Sequence, residues 1–384
     1  MESVRRFFEA PEGSFFLLGP RGTGKSSWAM ATFPGALRID LLQPDVLREF
    51  SARPERLRDL AAALPNGSVV ILDEVQRVPE LSSVVHAVHE SRKSLRFVLT
   101  GSSGRKLRSS GADLLAGRAV LRTMQPFVAA ELGSSFRLSS ALEIGMLPLV
   151  LGATDPGEAL RTYHALYLRE EVQQEGLVRN LGSFARFLEA ISFSHASLLN
   201  VSNVARECQV ERKIAESYVS ILEDLLLATR VQSFTRRAVR AVVAHPKFYW
   251  FDTGVFRAIR PRGPMDSGSE IDGAALEGLV FQHLKAWVDG RKEPNSLHFW
   301  RTRSGVEVDF VLYGADGFHA VEVKNSQRVH STDLRGLRAF REDYPESKPR
   351  LVYRGTDRMV IDGIPCTPCE EFLASLDPRR DFPA

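Results

Sequence analysis

Four short apolar runs near the start of the chain constrain its fold more than any other feature. Phe15-Phe16-Leu17-Leu18, Ala36 to Ile39, Val69-Val70-Ile71-Leu72 and Phe97-Val98-Leu99 are each bounded by Gly, Pro or polar residues. Because the runs are continuous rather than alternating, both faces of each strand need cover, which is the mark of a parallel sheet between helix layers. The first third of the chain is therefore expected to be an α/β domain. A length of 384 residues leaves room for two or three domains at about 150 residues each. A hydrophobic share of 44% with 25% charged residues excludes a disordered or collagen-like chain.

The first run leads into Gly19-Pro20-Arg21-Gly22-Thr23-Gly24-Lys25-Ser26, which fits G-x-x-x-x-G-K-[ST] at every fixed position, with a strand before it and a helical stretch after it. Glycines in such a loop let backbone N–H groups converge on phosphate oxygens, and the helix N-terminus adds the positive end of its dipole. Lys25 is placed to reach the β- and γ-phosphates, and the Ser26 hydroxyl to ligate magnesium. Gly19, Gly22, Thr23, Gly24, Lys25, Ser26 and Ser27 are the candidate nucleotide contacts, with ATP and Mg2+ as the expected ligands. Val69 to Leu72 then ends in Asp73-Glu74. Asp73 is expected beside the magnesium, and Glu74 is expected to orient and polarise an attacking water, which favours hydrolysis over transfer to a small acceptor. A small-molecule kinase is disfavoured because Glu74 follows Asp73 and no acceptor-binding domain is apparent. The third such strand ends in Thr100-Gly101-Ser102-Ser103. A polar side chain there, Thr100 before Ser102, could touch the γ-phosphate or the lytic water, the rival reading being an ordinary strand-to-loop turn. Arg118, in Leu115-Ala116-Gly117-Arg118, reads either as a finger for a neighbouring subunit's nucleotide or as a solvated surface arginine.

Together, the phosphate loop, the acid-tipped strand, the Leu-Thr-Gly-Ser strand end and the Leu-Ala-Gly-Arg segment resemble an AAA-type ATPase. More narrowly they are similar to bacterial and archaeal AAA-family proteins that carry a C-terminal domain of unknown function. The resemblance extends to Tyr167-Leu168-Arg169-Glu170-Glu171 and Tyr249-Trp250-Phe251-Asp252-Thr253-Gly254. It implies ATP hydrolysis, a winged-helix middle segment and assembly into a ring or dimer.

The middle of the chain is read as helical. Phe184 to Ile191, Asn203 to Cys208 and Arg212 to Leu227 have helical apolar spacing, with Ser202 or Asn203 as the cap of the second. The third is expected to bury Ile214, Tyr218, Ile221, Leu222 and Leu225. A hairpin over Arg230 to Val243 and a strand over Lys247 to Phe251 would complete the winged helix-turn-helix layout. Between Ala228 and Arg262 stand Arg230, Arg236, Arg237, Arg240, Lys247, Arg257, Arg260 and Arg262 against Asp252 alone, a local charge of +7 in 35 residues where the whole chain carries +3. That clustering suits a nucleic-acid backbone, DNA first. A solvated hairpin and a docking face for an acidic domain are the alternatives. Glu211, Glu216, Glu223 and Asp224 on or beside the third helix favour backbone contact over base reading.

Beyond the Gly/Pro/Ser-rich stretch Pro261 to Gly268 lies a second α/β pattern. A helix spans Ile271 to Val288, followed by strands Leu297 to Arg301, Val306 to Leu312 and Ala320 to Lys324, a helix Asp333 to Glu342 and a strand Arg350 to Tyr353. Val306 to Val311 alternates as a half-buried strand with Asp309 opposite Val308 and Phe310, and Glu322 and Lys324 share a face. Asp309 and Glu322 could hold magnesium, Glu277 on the preceding helix could complete the acidic cluster, and Lys324 could stabilise developing negative charge. This order resembles the PD-(D/E)XK nuclease family. The likeness implies phosphodiester cleavage assisted by Mg2+ or Mn2+, with Asp309, Glu322 and Lys324 as the matched triad, although Val308 stands where a proline precedes the aspartate in that pattern. The alternative is an inert domain in which Glu322 and Lys324 are a surface pair.

The expected organisation is a 1–125 ATPase core of AAA type, a 126–180 helical connector, a 181–262 winged helix and a 263–384 nuclease-like domain. Three cysteines exclude a disulfide scaffold, and Cys366 and Cys369 form a lone C-x-x-C that reads as two ordinary thiols. No apolar run reaches the roughly 18 residues of a membrane span, and Met1 to Gly13 lacks the apolar core of a signal peptide, so a cytoplasmic protein without membrane contacts is expected. The sequence thus points to an ATPase acting on nucleic acid, a homo-oligomer being possible, or alternatively to a nucleotide-controlled switch or scaffold with an inert C-terminal domain.

Overall fold

All four apolar runs become strands: β1 (Phe15–Leu18), β2 (Leu37–Asp40), β3 (Val69–Asp73) and β4 (Arg96–Gly101). The structure is a computed structural model and describes residues 4–104, 119–167, 172, 180–236, 240–264 and 266–383. The chain divides into two compact units. One comprises Phe8–Gln125 with Asp224–Leu227, and the other Met1–Phe7, Pro126–Glu223 and Ala228–Ala384.

In the first unit the strands pair in parallel in the order β2-β3-β4-β1-β5, where β5 is Val120–Thr123. Helices α1 (Lys25–Thr32), α2 (Pro44–Ala52), α3 (Arg56–Ala62) and α4 (Leu81–Ser91) cover the sheet. Phe16, Leu18, Val70, Leu72, Phe97 and Leu99 pack with Phe50 of α2, Leu57 of α3 and Val84, Val85 and Val88 of α4. Phe15, Leu17, Ile71 and Val98 pack instead with Trp28 and Ala29 of α1. This split by alternate residues is the two-sided burial that the continuous runs demanded. β5 carries no such run because it is an edge strand, with Val120 and Leu121 40% and 37% exposed. The order turns back at β1, so the carboxyl ends of β1 and its neighbours form the crevice where ligands bind in open α/β sheets.

The second unit opens with short helices and then α5 (Leu181–Ser192), β6 (Ser197–Leu198), α6 (Val201–Glu207), α7 (Arg212–Asp224), β7 (Ala228–Val231) and β8 (Lys247–Trp250). The α6 cap is Asn200, whose side chain accepts from the Asn203 N–H at 3.1 Å, rather than Ser202 or Asn203. α7 buries Tyr218, Ile221 and Leu222 as expected, but Ile214 in its first turn is 41% exposed. Among the described residues of Arg230 to Val243 the expected hairpin pairing is not found. β7 pairs antiparallel with β8, and the sheet order is β6-β8-β7. The described residues between β7 and β8 lie instead along strand β9 (Asn295–Arg301), where Phe234 N–H donates to Phe299 O at 2.7 Å and Val243 N–H to Arg301 O at 3.0 Å. Phe234 is buried in the neighbouring core, so the described part of the segment covers a sheet edge.

After α8 (Thr253–Ile259) and α9 (Gly268–Gly290), strands β9, β10 (Glu307–Gly314), β11 (Gly317–Lys324), β12 (Lys348–Tyr353), β13 (Met359–Ile361) and β14 (Ile364–Pro368) build a mixed sheet in the order β13-β14-β12-β11-β10-β9. α10 (Arg335–Asp343) makes the crossover between the parallel strands β11 and β12, and α11 (Cys369–Ser375) follows β14. Phe310 stacks on Phe281 of α9, while Val311 packs with Leu337 and Phe340 of α10, so helices cover both faces. β10 is therefore fully buried, not half-buried, from Val308 to Val311. Its alternation is also broken. Val308 opposes Trp300 and Val311 opposes His298, so one extra residue bulges out between them beside Asp309.

α10 lies so close to β10 that a Cβ on Gly336 would strike the Glu307 carbonyl oxygen, a backbone atom that cannot swing aside. Gly336→Ala is expected to cost about 2 kcal/mol through overpacking and to lower the melting temperature by roughly 5 °C. Gly268→Ala, where a Cβ meets nothing within 4 Å, should melt with the parent protein in the same thermal scan.

Candidate functional site

At the carboxyl end of β1 the chain turns through Gly19 to Gly24 and enters α1 at Lys25. Gly22 and Gly24 have φ of 84° and 88°, which L side chains rarely adopt. Thr23 is fully buried and its hydroxyl donates to the Pro20 carbonyl at 2.9 Å, fixing the loop from inside. Lys25, 4% exposed, folds back so that its Nζ donates to the Gly19 and Pro20 carbonyl oxygens at 2.7 and 3.0 Å. The ammonium thus already lies over the loop where phosphate oxygens would compete for it. Ser27 is exposed on α1.

The Ser26 hydroxyl donates to Asp73 Oδ1 at 2.8 Å, and Thr100 at the tip of β4 donates to the same oxygen. Asp73 Oδ2 accepts from Arg38 of β2 at 3.1 Å, and Asp73 is only 1% exposed. Hydroxyl and carboxylate oxygens gathered at one strand end are the hard donors that magnesium prefers, so Ser26 and Asp73 fit that ion. Glu74 adopts a left-handed backbone with φ 60°, unusual for a residue with a side chain. Its carboxylate accepts from Gln76 Nε2 at 2.6 Å, and Gln76 also donates to Ser102 Oγ at 3.0 Å. Lys25, Ser26, Asp73, Glu74, Thr100 and Ser102 therefore belong to one connected site. Arg38 and Gln76 were not among the sequence candidates, since an arginine inside a short strand and a glutamine three positions past a strand end carry no pattern of their own. Arg118, Arg237 and the segment Leu168 to Glu171 lie outside the described residues.

In the second unit the C-terminal candidates also meet, with an addition the sequence did not indicate. Lys247 of β8 is 2% exposed, and its Nζ lies 2.9 Å from Glu277 Oε1, 3.3 Å from Asp309 Oδ1 and in contact with Glu307. Tyr249 donates to Glu277 at 2.6 Å, the Val323 N–H donates to Asp309 at 2.9 Å, and Lys324 donates to Glu322 at 2.6 Å. Burial opposes the charge on Lys247, but Glu277, Tyr249, Asp309 and Glu307 outweigh it and hold the ammonium well above the usual lysine range. Burial and then Asp309 push Glu277 up to about 7 and raise Glu322 well above the carboxylate range. With a lysine at their centre these carboxylates do not fit a divalent ion, and among the described residues no group of three or more His, Cys, Asp or Glu is arranged to hold a metal.

The basic tract is likewise reassigned. Arg230 pairs with Glu216 and Glu223, Arg240 with Glu342 and Asp343, Arg257 with Asp272 and Arg260 with Asp266. Arg236 lies over the Tyr313 ring. The acids that neutralise the tract lie outside the Ala228 to Arg262 window, on α7, just beyond it at Asp266 and Asp272, or far away at Glu342 and Asp343, so a count within the window does not see them. Cys208, Cys366 and Cys369 are free and buried, and burial pushes the Cys369 thiol up to about 12. Among the described residues no helix is long and apolar enough to cross a membrane.

The glycine loop, acid-tipped β3 and five-stranded parallel sheet define a P-loop ATPase domain of AAA type, and residues 12–133 match the family described as an AAA domain. Residues 135–266 match a Domain of unknown function (DUF8612) and residues 272–372 another, DUF4143. Uncharacterized proteins of Mycobacterium bovis and Mycobacterium tuberculosis are each 24% identical over 367 residues, covering 94% of this chain and 80% of theirs. Among solved structures, the Aeropyrum pernix ORC2 protein in its ADP form is 13% identical, with a TM-score of 0.31 over 57% of this chain and 81% of its own. The protein VC1899 from Vibrio cholerae is 12% identical, with a TM-score of 0.22 over 95% of this chain and 96% of its own.

A thiol reagent such as Ellman's should label none of the three cysteines in the native chain and all three after denaturation, because attack requires an accessible thiolate. Rapid native labelling of Cys366 or Cys369 would restore the C-x-x-C to chemical candidacy.

Proposed function

We propose that the chain binds and hydrolyses ATP and works as a nucleotide-controlled switch whose second unit is catalytically inert. The observation that carries the reading is the connected set Lys25, Ser26, Asp73, Glu74 and Thr100 at the tips of β1, β3 and β4. Backbone N–H groups from Gly22 to Ser26 cradle the phosphate oxygens, and Lys25 exchanges its two loop carbonyls for β- and γ-phosphate oxygens. Ser26 and Asp73 hold Mg2+, which supplies positive charge against the β- and γ-phosphates. Glu74, steadied by Gln76, orients the water that attacks the γ-phosphorus as the bond to the ADP oxygen breaks. Thr100 keeps Asp73 aligned, and Arg118 remains the proposed contact to a neighbour's nucleotide in a homo-oligomer.

The inert reading of the second unit rests on charge. Of the eight cations in the basic tract, Arg230, Arg240, Lys247, Arg257 and Arg260 are paired with carboxylates of the same chain, leaving little field for a phosphate backbone. A second reading, Mg2+- or Mn2+-dependent cutting of DNA by a PD-(D/E)XK-like domain beside a winged helix, is favoured by the meeting of Asp309, Glu322 and Lys324. Incubation with DNA, manganese and ATP separates the two. The switch predicts intact DNA, whereas cutting that disappears in Asp309→Ala would establish the nuclease.

For the ATP site, Lys25→Ala should abolish nucleotide binding and turnover. Glu74→Gln should retain binding and lose about 10²–10⁴ of the hydrolysis rate, the usual yield of a positioned general base. Steady-state phosphate release beside a nucleotide-binding titration checks both. Normal turnover by Lys25→Ala would remove the assignment.

A further inference from the structure

The cluster around Asp309 holds a cation of its own. An ammonium has three N–H donors, and Lys247 faces three carboxylates: Glu277 at 2.9 Å, Asp309 at 3.3 Å, and Glu307. Its side chain is 3% exposed. The backbone of Lys247 is pinned from both sides, since β8 is the central strand of its sheet and Lys247 pairs with Leu198 of β6 and Val231 of β7. This cation is thus built into a strand rather than recruited from a flexible surface.

The charges around it can be counted. Glu277, Glu307, Asp309 and Glu322 supply four carboxylates, while Lys247, Lys324 on Glu322 and Arg301 on Glu307 supply three cations. With all of them ionised a single negative charge is left over, and a divalent ion added to this set would make it positive in a buried space. Without Lys247 the balance falls to two negative charges, which one divalent ion neutralises. A second observation points the same way: Glu322 Oε2 is buried and has no hydrogen-bond partner among the described residues. Such an oxygen is costly to leave unpaired and would be satisfied by an ion within reach.

We propose that Lys247 is the resident cation of this carboxylate cluster, closing it to divalent ions, and that removing the ammonium opens a site for one Mg2+ or Mn2+. The role is independent of whether the other unit hydrolyses ATP, so the test is run on the full chain without nucleotide. Mn2+ uptake is read from the electron-paramagnetic signal of the free ion. The parent chain is expected to take up no Mn2+ that depends on Asp309, so its isotherm should match that of Asp309→Asn. Lys247→Met should bind one additional Mn2+ per chain and melt at a higher temperature when the ion is present. Both gains should vanish in Lys247→Met with Asp309→Asn. An Asp309-dependent Mn2+ in the parent chain, or a folded Lys247→Met that gains none, overturns the proposal.

Should Lys247→Met fail to fold, the parent chain alone still decides. Native reductive methylation followed by peptide mass spectrometry should leave Lys247 unmodified with or without millimolar Mn2+. Methylation of Lys247 induced by the ion would mean that the metal displaces the lysine, and would refute its closing role.

Discussion

The carboxylate of Asp73 organises the first unit. One oxygen accepts from Ser26 at the start of α1 and from Thr100 at the end of β4, and the other accepts from Arg38 of β2. Elements that are distant in sequence are thereby tied to a single buried group at the end of β3. A carboxylate 1% exposed is tolerated only because its lone pairs are engaged. The same engagement places the glycine loop, the Ser26 hydroxyl and the neighbouring Glu74 within one connected network. Phosphate binding here would replace the loop carbonyls around Lys25 by ligand oxygens, directly beside the end of β1.

The second unit follows the opposite electrostatic logic. Its carboxylates and cations satisfy one another, from Lys247 among Glu277, Glu307 and Asp309 to Arg230 between Glu216 and Glu223. For the buried Lys247 set, removing one partner leaves a lone charge, which typically costs about 3–5 kcal/mol; the partly exposed pairs of Arg230 are worth less. A surface whose charge is neutralised internally leaves little field for counterion-driven binding of nucleic acid.

Much of the first unit was legible in the sequence because parallel strands must be apolar on both faces and the phosphate loop has fixed spacing. β5 was not, since Val120 and Leu121 lie at an exposed sheet edge and need no apolar run. In the second unit α5, α6, α7, α9 and α10 and four of the six strands of the C-terminal sheet could be read from period, whereas α8, α11, β13 and β14 could not. The bulge beside Asp309 could not, because it depends on pairing with Trp300 and His298 rather than on the residues of β10 alone. Lys247 misled for a related reason. In a tract of arginines it reads as one more surface charge, and only the fold brings Glu277, Glu307 and Asp309 around it. Phe234 shows the same effect in apolar form, since a residue within the expected short hairpin is drawn into the core against β9.

The proposed function depends on the glycine cradle holding a triphosphate, and calorimetric titration of the full chain with ATP in the presence of magnesium tests this most directly. A saturable isotherm with one nucleotide per chain, weakened when magnesium is chelated, is the predicted result. An isotherm with no heat of binding at any accessible concentration, on protein whose circular dichroism shows it folded, would contradict it.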